Sequence, residues 1–264
     1  MKPAASLIRT TCAEMSRTRA LVTAALVAAL WPASAQAADC RALTHEGAEF
    51  TICEIDAGTE VIRLFHSTPE GEVLGSFPRV DQMLRDRGER LGVAMNAGMY
   101  HNDLGPVGLY VEEGQQAMRL ITSKGPGNFG LLPNGVFCIR DGRADVIESL
   151  AFEAAAPDCR YATQSGPMLV IDGALHPRFL PDSDSVHVRN GVGTSADGQR
   201  VVLAISDERV NFYTFGTLFR DTLKLPNALY FDGKVSRLYA PGSGRHDRGF
   251  PMGPIVGVVE DATD

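Results

Sequence analysis

Polar side chains that can take part in chemistry stand beside glycine at four places in this chain. A carboxylate can act as a general base, a guanidinium can bind an anion, and amides and hydroxyls can orient a ligand. The segments that carry these groups are Asn96-Ala97-Gly98-Met99-Tyr100, Gln164-Ser165-Gly166-Pro167, Arg189-Asn190-Gly191 and Asp232-Gly233. Because a neighbouring glycine lets a second backbone or a ligand approach closely, we treat these polar groups as candidate site residues.

Each segment also has a purely structural interpretation. Asp232-Gly233 is typical of a hairpin turn, and Asn96 and Gln164 can satisfy backbone groups at strand ends. Arg189 is different, because an arginine between valines on a strand needs a carboxylate, a phosphate or a sheet edge. No G-x-S-x-G or H-E-x-x-H motif and no glycine-rich nucleotide loop occurs. A serine acyl hydrolase would therefore need Ser165 and a histidine brought to it by the fold.

Short strands and a few helices must position these residues. Helices are predicted at 79–90, and from Thr214 through Leu223 before Pro226. Asp-Gly turns separate many of the strands by connections too short for parallel pairing. The predicted strands cover residues 49–55, 60–66, 92–96, 107–112, 136–140, 144–148, 168–171, 186–192, 200–206 and 228–232. This pattern predicts a single α+β domain with a mixed, mainly antiparallel β-sheet flanked by a few helices.

The first 37 residues have the pattern of a signal peptide. Arg17 and Arg19 precede an apolar run at 20–30, and Ala35-Gln36-Ala37 follows as a cleavage motif. No run reaches the roughly eighteen apolar residues of a transmembrane helix, so we expect no membrane anchor. Removal of this segment shifts the formal net charge from −7 to about −10, which disfavours nucleic-acid binding. The remaining residues, 38–264, are predicted to form a periplasmic or secreted domain.

The composition is that of a globular protein. The chain is 44% hydrophobic and 22% charged, and its 27 glycines and 15 prolines are scattered without a period, which excludes disorder, collagen and coiled coil. Many short elements joined by turns fit this composition better than a helical bundle does.

Four cysteines remain after removal of the signal peptide: Cys40, Cys53, Cys138 and Cys159. Disulfides persist in an exported protein, and pairing of sequence neighbours gives Cys40–Cys53 and Cys138–Cys159. Three pairings are possible, and a zinc site is the alternative. No C-x-x-C spacing occurs and no histidine lies at ligand spacing from a cysteine, so neither a metal nor another cofactor is expected.

Taken together and in this order, the candidate segments resemble the phosphodiester glycosidase family. The matching segments are Met95-Asn96-Ala97-Gly98-Met99-Tyr100, Gly127-Asn128-Phe129, Pro133-Asn134-Gly135-Val136-Phe137, Gln164-Ser165-Gly166-Pro167-Met168-Leu169, Arg189-Asn190-Gly191-Val192-Gly193 and Asn227-Ala228-Leu229-Tyr230-Phe231-Asp232-Gly233. The resemblance implies an exported hydrolase that cleaves a sugar–phosphate diester at the anomeric carbon, in envelope or extracellular glycans such as exopolysaccharide.

The chemistry of that reaction assigns roles to the residues. A phosphate monoester leaves readily, because its second pKa is about 6 and its first is far lower, so general acid help is nearly dispensable. The site must supply a carboxylate that activates water or stabilises oxocarbenium charge, and cationic or amide donors for the phosphate. Asp232 fits the first role and Arg189 the second. The expected substrate-binding residues are Asn96, Gly98, Tyr100, Gln164, Ser165, Gly166, Asn190 and Gly233.

This chain departs from the family pattern at two places. Lys234 stands where the family has a second glycine after Asp232-Gly233, and Asn190-Gly191-Val192 stands where the family has Thr-Ala-Ile. Lys234 either narrows the pocket or adds a positive charge near the phosphate. The alternative function is a noncatalytic glycan-binding or envelope-interaction protein on the same fold. Convergence of Asp232, Arg189 and Asn96 on one cleft would favour the enzyme.

Overall fold

The computed structural model describes residues 38–232 and 234–262. The predicted signal peptide at 1–37 and the candidate residue Gly233 therefore lie outside the described residues. The described part of the chain confirms the α+β class, with three β-sheets and three short α-helices. Each pairing between the strands described below is antiparallel.

The strands are distributed over the three sheets in a non-sequential order. The first sheet has the order β1-β2-β13-β12-β14-β10-β11, with β1 Asp39–His45, β2 Ala48–Asp56, β10 Met168–Ile171, β11 Ala174–Leu175, β12 Asn190–Thr194, β13 Arg200–Ser206 and β14 Asn227–Tyr230. The second has the order β16-β15-β4-β17-β3, with β3 Val61–Phe65, β4 Glu89–Asn96, β15 Leu238–Ala240, β16 Arg245–His246 and β17 Ile255–Asp261. The third has the order β6-β5-β9-β7-β8, with β5 Tyr110–Glu112, β6 Gln115–Met118, β7 Gly135–Arg140, β8 Arg143–Glu148 and β9 Tyr161–Ser165.

One central core joins the three sheets. Leu203 of the first sheet, Met95 of the second and Phe137 of the third belong to the same buried cluster. The opposite face of each sheet packs against a helix: α1 Phe77–Arg85 on the second, α2 Ser149–Ala155 on the third, and α3 Phe212–Thr217 on the first. Coverage on both faces leaves β4 buried from Leu91 to Asn96 and β9 buried along its whole length. The polar residues at the ends of these two strands are therefore anchored in the protein interior.

Two helices differ from the sequence prediction. Helix α1 ends at Arg85 rather than 90, because Gly88 takes a left-handed conformation at φ 76° and β4 begins at Glu89. Helix α3 begins at Phe212, not at Thr214, because Asn211 is the N-cap and its side-chain oxygen accepts the Thr214 N–H at 2.9 Å. A π-helical turn, Leu218–Thr222, then continues α3. Helix α2 was not predicted.

The predicted hairpins at Asp141-Gly142, Asp172-Gly173 and Asp197-Gly198 are confirmed, since each lies between two paired strands. The predicted strand over 186–192 is wrong in its first half, because β12 begins only at Asn190. Arg189 therefore precedes the strand instead of lying within it. No helix among the described residues is long and apolar enough to cross a membrane.

Both expected disulfides are present. Cys40–Cys53 joins the paired strands β1 and β2, and Cys138–Cys159 joins β7 to the segment that leads into β9. Apart from Cys40, which is partly buried, these cysteines lie in the protein interior.

We expect reduction of these disulfides to lower thermal stability markedly. Loops closed over 13 and 21 residues each contribute about 3 kcal/mol by the chain-entropy model. Thermal unfolding with and without reductant measures the effect, and the paired variants Cys40→Ser/Cys53→Ser and Cys138→Ser/Cys159→Ser separate the two contributions. Mass spectrometry that finds four free thiols in exported material would contradict the pairing.

Candidate functional site

The candidate residues meet where strands of different sheets end. Strand β12 runs antiparallel to β14, so Asn190 at the start of β12 lies beside the residues that follow β14, including Asp232. Asn96 is the last residue of β4 in the second sheet. The amides of Asn96 and Asn190 contact each other, so the site lies between the first and second sheets.

The two asparagines form a buried hydrogen-bonded pair. Asn190 Nδ2 donates to Asn96 Oδ1 at 2.8 Å and to the Asn96 carbonyl at 3.1 Å. Asn190 Oδ1 accepts the Asp232 backbone N–H at 3.1 Å, and Asn96 Oδ1 accepts the Arg237 N–H at 2.9 Å. Both side chains are 0% exposed, so loss of any of these bonds would leave an unsatisfied buried group. The asparagine pair thereby fixes the backbone at Asp232 and at Arg237.

Asp232 lies two residues beyond β14 and is partly buried. Its carboxylate Oδ1 accepts the Lys234 backbone N–H at 2.9 Å, and its carbonyl accepts the Ser236 hydroxyl at 2.8 Å. The Lys234 residue is exposed, and the described contact to Asp232 uses its backbone. The turn therefore holds the carboxylate in a defined position while leaving part of the residue accessible to solvent.

Two tyrosines lie close enough to Asp232 for its charge to affect them. Burial and, second to it, the Asp232 carboxylate raise the pKa of Tyr100 to about 12, and Arg237 acts in the opposite direction. Burial also raises the pKa of Tyr230, which Arg189 lowers and Asp232 raises. Both phenols are therefore protonated at neutral pH and are hydrogen-bond donors. Tyr230 was part of a matching segment but was not among the predicted site residues.

Arg189 is 0% exposed and lies against aromatic rings. Its guanidinium carbon is 3.6 Å from the centre of the Phe212 ring and 5.5 Å from that of Tyr230. Nε donates to the Val210 carbonyl and Nη2 to the Ser185 carbonyl, both at 2.8 Å. Burial lowers the pKa of Arg189, but a guanidinium still stays charged at neutral pH.

One nitrogen of the Arg189 guanidinium, Nη1, differs from the other two in its hydrogen bonding. Within the part of the chain that the structure describes, Nη1 is buried and makes no well-aligned hydrogen bond, and the Tyr230 hydroxyl is in the same condition. Each group still shifts the pKa of the other through its charge and a side-chain contact, and Asn128 also acts on Tyr230, so these side chains are neighbours. Buried donors without partners are rare and costly in native proteins. A ligand oxygen that accepts from both would remove that cost.

Gln164 uses its whole amide within the protein. Nε2 donates to the Ile121 carbonyl at 2.6 Å and to the Ser149 hydroxyl at 3.0 Å. Oε1 accepts the N–H groups of Leu109 at 3.1 Å and Ile121 at 3.0 Å. The side chain thereby ties the segment around Ile121 to β9 and α2.

Ser165 and the nearby glycines also hold strands together. The Ser165 hydroxyl donates to the Phe231 carbonyl at 2.8 Å, and no hydrogen bond joins it to a histidine among the described residues. A Cβ on Gly98 would collide with the Gln164 carbonyl, and one on Gly166 would collide with the Asn134 side chain. Glycine is required at both positions for close contact between segments.

The structure brings Asn96, Asn190, Tyr100 and Asp232 together. It places the Arg189 guanidinium against the rings of Phe212 and Tyr230. The roles predicted for these residues stay predictions. Sequence reasoning missed Tyr230, Ser236 and Arg237. For Tyr230 a signal was available, because alternation along a strand places residues 230 and 232 on the same side. No group of three or more His, Cys, Asp or Glu side chains in the described ranges could hold a metal ion.

Comparison with known proteins shows the family to which the chain belongs. The family model for phosphodiester glycosidase matches residues 89–253, which include Asn96, Arg189 and Asp232. An uncharacterized protein from Escherichia coli (strain K12), YigE, is 32% identical over 233 residues that cover 88% of this chain and 91% of YigE.

Solved structures share the fold. The catalytic domain of zebrafish N-acetylglucosamine-1-phosphodiester alpha-N-acetylglucosaminidase, auto-inhibited by its pro-peptide, has a TM-score of 0.58 and 14% identity over 83% of this chain and 81% of that one. A hypothetical protein from Synechocystis has a TM-score of 0.54 and 13% identity over 84% of this chain and 61% of that one. A putative exported protein from Burkholderia pseudomallei K96243 has a TM-score of 0.50 and 12% identity over 80% of this chain and 74% of that one. From the family match and the identity to YigE, this chain belongs to the phosphodiester glycosidase family.

Proposed function

We propose that this protein hydrolyses glycosyl-1-phosphodiesters, cleaving the bond between the anomeric carbon of a sugar and the phosphate oxygen. Family membership supports a glycosidase-like hydrolase with a glycan-type substrate. The observation that carries the proposal is a buried pair of donors that make no well-aligned hydrogen bond, Arg189 Nη1 and the Tyr230 hydroxyl. The Asp232 carboxylate is near enough to act on Tyr230. A singly charged phosphodiester presents the two non-bridging oxygens that such donors need.

In the proposed reaction, water attacks the anomeric carbon as the carbon–oxygen bond breaks. The bonding electron pair leaves with the phosphate monoester, and the sugar gains the hydroxyl. Asp232 takes the proton of the attacking water or stabilises the positive charge that develops on the sugar ring. Arg189 and Tyr230 donate to the phosphate, whose negative charge grows as it leaves. These groups are already held in place, so little reorganisation is needed in the transition state.

Other candidate residues have positioning or binding roles in this proposal. Asn96 and Asn190 fix the backbone of Asp232, and the Tyr100 phenol, near Asp232, donates to a sugar hydroxyl. Gln164, Ser165, Gly98 and Gly166 hold the strand ends and loops that form the wall of the site.

We also propose that the domain works outside the cytoplasm, in the periplasm or as a secreted protein. The two disulfides favour an oxidising compartment, because thiols in the cytosol are kept reduced. The signal peptide over residues 1–37 remains a prediction from the sequence.

The direct test is turnover of glycosyl-1-phosphodiesters in water labelled with oxygen-18. Cleavage at the anomeric carbon puts the label in the released sugar, whereas attack at phosphorus puts it in the phosphate. The proposal requires label in the sugar. Label in the phosphate would show a phosphodiesterase, and saturable glycan binding without turnover of any sugar phosphodiester would show the noncatalytic alternative.

Replacing Tyr230 by phenylalanine tests the donor pair itself. We expect turnover to fall about tenfold or more, because a hydrogen bond to a charged oxygen is lost. Stability should change little, since the variant removes a buried hydroxyl that makes no well-aligned hydrogen bond.

Tyr110→Phe is the matched control. That hydroxyl donates to Glu112 at 2.8 Å, so its removal should lower stability by about 1 kcal/mol and leave turnover unchanged. Equal turnover in the parent and in Tyr230→Phe would remove Tyr230 from the site.

A further inference from the structure

A cavity of about 340 Å³ lies between the start of α1 and the strands β15 and β16, and no role has been assigned to it above. Its wall contains the rings of Phe77, Tyr239 and His246 and the side chain of Met252. Arg237 and Arg248 also line it. We call it the aromatic cavity. Its volume is within the range of small-molecule sites, which are about 300–1,000 Å³.

The rings of the aromatic cavity are arranged as a cluster. Phe77 and Tyr239 are stacked with centroids 5.7 Å apart, and His246 meets Tyr239 edge-on at 5.0 Å. Phe77 is buried, whereas Tyr239 is partly and His246 largely exposed. The two outer rings can therefore contact a ligand, and their faces and edges suit another planar ring.

The charges at the cavity favour an anionic ligand with an apolar end. Asp247 is the acidic residue in the wall, and it is engaged by the Leu238 N–H at 3.0 Å and by an ion pair with Arg245 at 3.2 Å. Arg237 and Arg248 add two positive charges to a wall that is otherwise mainly apolar. A molecule that joins a phosphate to a ring would match both properties.

The aromatic cavity adjoins the candidate active site. Arg237 lines the cavity, and its backbone N–H donates to Asn96 Oδ1 at 2.9 Å. Tyr100 is near enough to both Asp232 and Arg237 for their charges to shift its pKa. The wall residue Met252 precedes Gly253, where an added Cβ would lie 2.5 Å from Tyr100 Cβ. Tyr100 and Arg237 therefore lie where the cavity and the candidate site meet.

We propose that the aromatic cavity binds the alcohol part of the phosphodiester, that this part carries a planar aromatic group, and that Arg237 contacts the phosphate at the passage between the two spaces. This inference rests on the proposed function and adds the class of leaving group. The sugar would lie at Asp232, the phosphate between Arg189 and Arg237, and the ring against Tyr239 and His246.

The test compares the benzyl, cyclohexylmethyl and methyl esters of one glycosyl phosphate with the whole protein. These leaving groups share the same phosphate chemistry and differ in the shape and aromaticity of the alcohol. We expect kcat/KM for the benzyl ester to exceed that for the methyl ester at least about tenfold, through burial of apolar surface. The value of kcat/KM for the benzyl ester should exceed the value for the cyclohexylmethyl ester about threefold to tenfold, because aromatic rings contact each other.

Variants of Tyr239 test whether the preference for the benzyl ester arises in the aromatic cavity. Tyr239→Leu should bring the ratio of benzyl to cyclohexylmethyl turnover close to one, and Tyr239→Phe should keep the parental ratio because it keeps the ring. Circular dichroism confirms that both are folded. A parental protein that does not distinguish the three esters, or a Tyr239→Leu variant with the parental ratio, would overturn the inference. Equal turnover of the benzyl and cyclohexylmethyl esters would show that the cavity does not recognise an aromatic ring, and it would also overturn the inference.

A binding measurement separates this inference from the proposed function. If no ester is hydrolysed, the proposed function fails, and the cavity is then tested by calorimetric titration with benzyl phosphate and cyclohexylmethyl phosphate. Tighter binding of benzyl phosphate that is weakened in Tyr239→Leu would support the cavity as a site for an aromatic phosphate ester. Equal affinities, or no binding of either compound, would overturn it.

Discussion

Asp232→Asn is expected to lower kcat for a glycosyl-1-phosphodiester at least about a hundredfold, the low end of what a positioned acid–base group provides. The variant keeps an oxygen that can accept the Lys234 N–H and removes the negative charge that acts on water or on the sugar ring. Substrate binding should survive better than turnover, because Arg189 and Tyr230 still donate to the phosphate. Rates measured at saturating and at low substrate concentration separate the two effects.

Asp141→Asn is the matched control for this variant. Asp141 also belongs to an Asp-Gly turn, but it lies in the exposed hairpin between β7 and β8. Its replacement should leave kcat unchanged. If Asp232→Asn is folded and keeps the parental rate, the proposed mechanism is wrong, although membership of the family stands.

Arg189→Lys should lower both activity and stability. Lysine keeps the charge but cannot reproduce the bonds from Nε to the Val210 carbonyl and from Nη2 to the Ser185 carbonyl. Loss of these two bonds and of the contact with the Phe212 ring should cost about 2–3 kcal/mol of stability. Loss of the Nη1 donor should lower kcat/KM about tenfold to a hundredfold. Thermal unfolding and steady-state kinetics measure the two effects.

Arg209→Lys is the control, because Arg209 is exposed and donates to the carbonyl of Val186, which lies on the neighbouring segment before β12. Arg209→Lys should leave both thermal stability and kcat/KM nearly unchanged. Parental kinetics in a destabilised Arg189→Lys variant would make Arg189 a purely structural residue. Because Arg189 is buried, its replacement is expected to affect the fold as well as the site.

Features that depend on residues close together in the chain could be predicted from the sequence. The disulfide partners are separated by 13 and 21 residues. The Asp-Gly hairpins join neighbouring strands through two residues at 141–142 and at 172–173 and through the short segment 195–199. The α+β class followed from the same short connections. The start of α3 was placed two residues late, because Asn211 and Thr214 are both good N-caps and only the folded chain shows which one binds the free N–H groups.

The order of the polar segments also carried the family assignment, since it is a property of the sequence alone. It did not determine what each side chain does. Gln164 was expected to bind a sugar, but its four hydrogen bonds connect Leu109, Ile121 and Ser149, which are distant in the chain. A glutamine beside a glycine has the same local pattern in either role, so the choice depends on tertiary contacts.

The sequence by itself determined the family, the fold class and the position of a carboxylate after a buried strand, and it favoured the disulfide pairs that the structure contains. Only the tertiary structure decided that Asn190 pairs with Asn96 and accepts the backbone N–H of Asp232. It also decided that Arg189 and Tyr230 are buried neighbours and that Arg237 lines an aromatic cavity. The physical reason is that hydrogen bonding and burial are set by groups far apart in the chain, such as Asn96 and Arg237, which are 141 residues apart. Local propensity acts over a few residues and contains no information about such partners.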